Sequence, residues 1–334
     1  MFSAIVIVAP EIRDAEEDSA AGDATTTAAI SQEQAGTDLA TVEVLGRSVL
    51  ERLAEELRRA GVEEISTFES IVDRQGSSAP RETWSRANEQ WMTCRQSGAE
   101  ATLIIRVGAY VEWDFRDALL FHSAHGRPIT RAFDREEPLD LWIVDLAQVN
   151  EETDLLAVLG EAEPARYVVR GYVNRLEHPK DLRRLVVDAL TSRCGLRPQG
   201  TEVRPGIWLD EGAEVDRDAR LVAPAFIGRG SVIEEQCLIT RCSSVESNCQ
   251  IDYGTVVEDS SILPNTYVGI GLDLSHSIVD GSDLMNLERE VSLEIADPCV
   301  IRQNRLPRQT KNFRSPARFG FGSLRLSSVE DGTR

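Results

Sequence analysis

The stretch from Val215 to Ile262, VDRDARLVAPAFIGRGSVIEEQCLITRCSSVESNCQIDYGTVVEDSSI, has no helical period and no two-residue alternation, yet it counts in sixes. Val203, Leu209, Val215, Leu221, Ile227, Ile233, Ile239, Val245, Ile251, Val257 and Leu263 stand six residues apart, and all eleven are aliphatic. Four residues after each of the first ten come Ile207, Ala213, Ala219, Ala225, Ser231, Cys237, Ser243, Cys249, Thr255 and Ser261, nine of them small. Ordinary composition does not produce so long an unbroken run. Each unit supplies a short strand and a bend, with the aliphatic inside and the small residue where the chain turns close to the axis. One unit cannot bury its own apolar face, so the units must stack into a solenoid.

The period resembles the hexapeptide repeat of left-handed parallel β-helices, in which three units make one triangular coil. Eleven units would then make between three and four coils. The strongest local match is AFIGRGSVIEEQ, with Ile227-Gly228 at the aliphatic-glycine position.

Length and composition bound the rest. A chain of 334 residues holds two domains with a core in each. A net charge of −20 argues against nucleic acid and against general adhesion to anionic membrane. The six cysteines contain no CxxC pair, and Cys237 and Cys249 fall at inward small positions, so they read as reduced core thiols of a cytoplasmic protein. MFSAIVIVAP is apolar but short and lacks a basic leader, so neither a signal peptide nor a transmembrane segment is expected.

The first two-thirds of the chain follow other periods. SAIVIVA (Ser3 to Ala9) reads as a buried parallel strand. Asp14 to Ala40 has seven acids, no base and no aromatic, which predicts a mobile loop. LGRSVLERLAEELRRAGVEE places Val49, Leu50, Leu53 and Leu57 at helical spacing, with Gly61 to close the helix. EISTF and ATLIIRV read as strands, Trp84 to Gln96 as a helix, DFRDALLFHSAHG as a helix, LDLWIVDL as a strand, and PKDLRRLVVDALTSR as an amphipathic helix. This order predicts a doubly wound, Rossmann-like α/β domain over residues 1–196 with the acidic loop at 14–40. The repeat domain is placed at 200–300 and a basic tail at 301–334. Between Arg302 and Arg325 there are seven bases and no acid, so the tail is expected to seek something acidic.

An α/β domain followed by a hexapeptide β-helix resembles the sugar-nucleotide pyrophosphorylases, the nucleotidyltransferases that join a nucleoside triphosphate to a sugar 1-phosphate. LGRSVLERLAEELRRAGVEE is similar to the helix after that family's signature loop. DFRDALLFHSAHGRPIT is similar to the segment after its metal-binding strand. VRGYVNRLEHPKDLRRLVVDAL is similar to its Gly-Tyr-Trp...Pro stretch, and LPNTYVGIGLDLSHSIVDGSDLMNLEREVSLEIADPCVI to the end of members linked to polysaccharide assembly. The resemblance implies a nucleotide and sugar-phosphate cleft at Ala9, Pro10, Arg13, Gly108, Ala109 and Arg175.

The chemistry of that cleft departs from the family. Phosphoryl transfer needs a phosphate cradle and a divalent metal. After the first strand, however, this chain has the acidic APEIRDAEEDSAAGD and no GxGxR pattern. The family's two metal-binding aspartates align with Gly108 or Ala109 and with Arg175. Magnesium requires hard oxygen donors, so no metal and no other cofactor is expected. Glu112 and Asp114 read as surface carboxylates rather than substitutes. The residues thus imply a catalytically degenerate, pyrophosphorylase-like protein, acting as a binding, regulatory or scaffold subunit in sugar-nucleotide or polysaccharide biosynthesis. It would bind a sugar nucleotide, and an active homologue or polysaccharide-assembly protein would be its partner. It could self-associate through the β-helix. Arg175 would hold a diphosphate without metal, with Arg106 adding to the field, or else pair with a neighbouring acid such as Glu177 or Glu112 and close the site. The alternatives are an active, magnesium-dependent nucleotidyltransferase and a hexapeptide acyltransferase. The latter needs a histidine base on the coils, and only His276, read as a surface residue, lies near them. His122 and His125 read as helix packing. Trp84, Trp91, Trp113 and Trp142 read as core or strand-facing residues.

Overall fold

Phe2–Val8 forms the first strand, β1, whose apolar run is buried from Ser3 to Val8, as expected of a strand covered on both faces. The computed structural model describes residues 2–8, 39–69, 80–96, 99–150, 153–160 and 163–304. The expected site residues Ala9, Pro10 and Arg13, most of the acidic loop and the tail from 305 onward lie outside the described residues. Leu39–Thr41 already forms a helical turn with Ala40 wholly buried, so the expected loop ends earlier than residue 40.

Five further strands join β1: β2 (Glu64–Glu69), β3 (Ala101–Arg106), β4 (Ile129–Asp134), β5 (Glu137–Asp145) and β6 (Ala165–Val168). The sheet order is β2-β1-β3-β5-β4-β6. β1 runs parallel to β2 and β3, and β4 runs parallel to β6, while β5 lies antiparallel to both its neighbours. The sheet is therefore mixed. Among the described residues, besides the turn at Leu39–Thr41, five helices accompany it: α1 (Val49–Arg59), α2 (Pro80–Gln96), α3 (Phe115–His125), α4 (Leu155–Gly160) and α5 (Pro179–Leu190). One face of the sheet packs Ile5, Ile7, Ile104, Trp142 and Val144 against Trp84 and Trp91 of α2 and against α4. The other packs Val6, Leu103, Ile105 and Ile143 against α1, α3 and α5. Among the described residues no helix is long and apolar enough to cross a membrane.

Local sequence sets the start and end of α1. The Ser48 hydroxyl accepts from Glu51 N, the Glu51 carboxylate accepts from Ser48 N, and Gly61 takes φ 88° just past the helix end.

From Ile207 onward the chain passes in turn through three parallel sheets of short strands. One sheet stacks Ile207–Leu209, Ala225–Ile227, Ser243–Val245, Ser261–Ile262 and Ser277–Asp280. The second stacks Glu214–Val215, Val232–Ile233, Gln250–Ile251 and Thr266–Val268. The third stacks Arg220–Leu221, Leu238–Thr240, Val256–Glu258 and Asp273–Ser275. This makes four full circuits and the start of a fifth, a path compatible with a β-helix. Ile227, Ile233, Ile239, Val245, Ile251 and Val257 are at most 1 % exposed and form one internal core with Cys237 and Cys249. The small residues turn the chain and also tie circuits together. Ser231 Oγ donates to Glu246 O at 2.6 Å and accepts from Cys249 N at 2.9 Å, and Thr255 Oγ1 donates to Gly269 O at 2.6 Å. Gly228 is required where it stands, because a Cβ there would lie 2.6 Å from the carbonyl carbon of Glu246.

The six-residue count fails at both ends of the repeat. Val203, expected inside, is 49 % exposed, because Thr201–Arg204 is an antiparallel strand closing the first sheet. Leu209 and Val215 are only half-buried. After Val257 the inward residue is Ile262 rather than Leu263. The register spacing falls from 18 residues (Ala225↔Ser243) to 17 (Ser244↔Ser261). The cause is a corner that loses one residue. Arg241 and Cys242 both take positive φ in one circuit, whereas Asp259 alone does so in the next and His276 alone in the one after. Leu263 consequently turns outward and joins the α/β core with Phe226 and Ile278. The strand layer also runs past the expected boundary at 300, since Ile301–Gln303 pairs with Thr266–Val268 and Ile301 is buried.

The two parts share a buried polar joint. Arg183 of α5, its side chain 7 % exposed, donates to the carbonyls of Arg241, Cys242 and Asp259 and binds Asp259 Oδ1 at 2.7 Å. Asp259 Oδ2 lies 2.6 Å from His276 Nδ1. His276, its side chain 39 % exposed, thus stands at the surface edge of this joint.

Candidate functional site

At the carboxyl end of β3 the chain leaves the sheet through Val107–Ala109 and pairs Tyr110–Val111 antiparallel with Val173–Asn174. That pairing carries the next residue, Arg175, toward Gly108 and Ala109. All three line one cavity of about 420 Å³. Because β5 runs opposite to β3, its first residues, Pro138 to Leu141, complete the wall beside Ile105. α1 contributes Val49, Arg52, Leu53 and Glu56, and β4 contributes Arg131. The structure thus brings together three of the six expected cleft residues; the other three lie outside the described residues.

The lining carries four guanidinium groups (Arg52, Arg106, Arg131, Arg175) and three carboxyls (Glu56, Asp140, Glu177). In a chain of net charge −20 this is a local reversal of sign. Asp140 is held by two of the arginines: Arg106 Nε donates to Oδ2 at 2.8 Å, and Arg131 Nη2 to Oδ1 at 3.2 Å. Arg131 also lies over the Trp142 ring, 4.9 Å from its centroid. Burial, aided by the nearby Glu112 charge, pushes the Glu56 carboxyl above its ordinary range. The lining itself has one more guanidinium than carboxyl, with Glu137 beside Arg175 at its edge.

Arg175 Nη2 lies 3.1 Å from Glu137 Oε2, but the two are not aligned for a hydrogen bond, and Nη2 has no other acceptor. The contact is an ion pair with a carboxylate whose side chain is 73 % exposed, which in water is worth little. Arg175 thus does pair with a neighbouring acid, but that acid is Glu137 rather than Glu177 or Glu112. Glu112 instead accepts from Tyr110 Oη at 2.9 Å and from the Gly195 amide, and Glu177 lines the cavity without pairing to Arg175. Asp114 caps α3, accepting from Arg116 N at 2.9 Å. Asp114 is exposed, as expected, while capping α3, whereas Glu112 is half-buried and has a structural task instead.

Arg52, Arg131 and Asp140 are the site residues that sequence reading missed. Arg52 is held by backbone: Nη2 donates to Val44 O at 2.8 Å and to Leu45 O at 3.2 Å, and Nη1 to Arg197 O at 3.1 Å. Its Nε is buried without an acceptor, and burial lowers its pKa.

The donor set does not fit magnesium. Gly108 and Ala109 offer no side-chain oxygen, Arg175 is a cation, and both Asp140 oxygens face guanidinium groups. Among the described residues no cluster of three or more His, Cys, Asp or Glu side chains could hold a metal ion. His122 Nδ1 lies 2.7 Å from Thr130 Oγ1 in the core, while His125 stacks on Phe121, so the pair does not converge. Trp84, Trp91 and Trp142 are core residues, whereas Trp113 is half-buried and lines the cavity. A second, more open hollow of about 820 Å³ lies on the other side of Trp113, beside Arg59, Arg116 and Arg170.

Compared with known proteins, the chain matches no family model and no curated sequence.

Proposed function

We propose that this chain is a catalytically degenerate relative of the sugar-nucleotide pyrophosphorylases. Its α/β part is a nucleotidyltransferase-like domain and its coil a left-handed β-helix. It binds a diphosphate-bearing ligand of the sugar-nucleotide class without a divalent metal, and serves as a binding or scaffold subunit in sugar-nucleotide or polysaccharide synthesis. The observation that carries this reading is the meeting of Gly108, Ala109 and Arg175 in one cavity whose charge comes from guanidinium groups. Guanidinium binds phosphate oxygens in pairs and is less strongly hydrated than ammonium, so it suits a metal-free diphosphate site. The apolar walls from Val49, Leu53, Ile105, Val107 and Leu139 lower the local dielectric and strengthen that attraction. Six free thiols, four of them buried, agree with a cytoplasmic location.

Calorimetric titration with nucleoside diphosphate sugars and with inorganic pyrophosphate, in magnesium and in EDTA, tests the reading. Equal affinity in both buffers is expected, with no sugar nucleotide formed from a sugar 1-phosphate and a nucleoside triphosphate. Binding that needs magnesium, or measurable turnover, would replace this reading with that of an active nucleotidyltransferase.

A further inference from the structure

No β-helix residue lines the cavity, yet one β-helix side chain acts a single turn away from it. Glu246 is 1 % exposed and sits at a corner between circuits. Its Oε1 accepts from Leu45 N at 3.1 Å and its Oε2 from Gly46 N at 2.9 Å. The carbonyls of the same turn, Val44 O and Leu45 O, accept from Arg52 Nη2. The turn is thus gripped on its N–H side by the β-helix and on its C=O side by the cavity arginine.

The conformation of the turn gives the grip its importance. Leu45 takes φ 54° and Gly46 φ 89°. Leu45 and Gly46 are the central pair of a type I′ hairpin turn between Val44 and Arg47, and both of their N–H groups are given to Glu246. A leucine in the left-handed region is strained and stays there only where its surroundings compel it. Only glycine fits at 46, since a Cβ would lie 2.8 Å from Gln199 Cβ. Here the turn holds a carboxyl group of the chain itself. The buried Glu43 Oε2 on the same turn has no hydrogen-bond partner and adds a like charge, which the two N–H donors of the turn and the Ser244 side chain offset.

We infer that Glu246 is a positioning residue for the cavity: by fixing the turn at Val44–Gly46 it fixes Arg52, so that the β-helix sets the ligand affinity of a cavity it does not line. The ligand part of this inference rests on the metal-free anion binding proposed above; the mechanical part does not.

At pH 9, where the parent carboxyl is ionised, Glu246→Gln keeps the size of the side chain but turns one acceptor into an amide donor facing an N–H group. In the full-length protein, arginine modification by phenylglyoxal, mapped by mass spectrometry, reads the mechanical link. Arg52 should react at least about fivefold faster in the variant, while Arg106 and Arg131, held on Asp140, should change less than twofold. Pyrophosphate titrated in EDTA should bind about tenfold more weakly. Glu246→Asp, which retains the carboxylate one methylene short, should give intermediate values and carries the test should the first variant not fold. Unchanged Arg52 reactivity in a folded variant overturns the inference. So does faster Arg52 reaction with unchanged pyrophosphate affinity. Failure of the parent itself to bind pyrophosphate, with Arg52 still released by the substitution, removes the proposed ligand and leaves the link between Glu246 and Arg52 standing.

Discussion

At the scale of single residues, burial decides which charges matter. Glu246 accepts two backbone N–H bonds, which favour its ionised form, yet full burial outweighs them and pushes its pKa up to about 8. A carboxyl raised in this way keeps its proton longer in the native state than in the unfolded chain. Its contribution to stability is therefore present at low pH and is lost as pH rises from the ordinary carboxylate range to about 8. Thermal unfolding measured between pH 5 and pH 9 should show this decline, and Glu246→Gln should flatten it. An equal slope in parent and variant would show that Glu246 is not the titrating group. Arg183 illustrates the opposite arrangement, a buried cation satisfied by three carbonyls and a carboxylate. Replacing it with methionine leaves Asp259 Oδ1 and those carbonyls without that donor, while Asp259 Oδ2 keeps His276, and should cost about 1–3 kcal/mol in denaturant unfolding.

At the scale of elements, the repeat was legible where each position depends only on its own circuit. Ile227 through Val257 follow the six-residue count because inward aliphatics and small turn residues are enough to specify stacking. The count breaks where something outside the coil takes over. The corner at Asp259 is one residue short where it seats Arg183 of α5, and no local pattern announces a partner 76 positions away. Val203 falls on the count only by coincidence, since antiparallel pairing with Ile207–Leu209 decides its side. Two substitutions separate these cases. Ile262→Asp would bury an unpaired charge and should cost several kcal/mol, as should Ile233→Asp. Val203→Asp should stay within about 0.5 kcal/mol of the parent. If Ile262→Asp melts like the parent and Val203→Asp does not, the register described for the shortened circuit is wrong. The cavity was partly legible only through the family resemblance, which named Gly108, Ala109 and Arg175. They lie in two distant segments that a short antiparallel pairing brings together. Arg52, Arg131 and Asp140 were not, because their side chains reach the cavity only through helix orientation and sheet register. The available signal was a charge set within apolar strand and helix patterns, such as Asp140 inside EPLDLWIVD.

At the scale of the whole molecule, a strongly acidic protein gathers four guanidinium groups around one hollow and ties it, through one turn, to a stack of parallel strands. In the function proposed above, this hollow binds a diphosphate by guanidinium rather than by metal. Calorimetry of sugar-nucleotide binding in EDTA, on the parent and on Arg175→Asp, tests this. Parent affinity should be unchanged by chelation, and Arg175→Asp should weaken it by more than about tenfold, roughly 1.4 kcal/mol. A parent that binds only with magnesium, or an Arg175→Asp protein that binds as tightly as the parent in EDTA, would contradict that proposal.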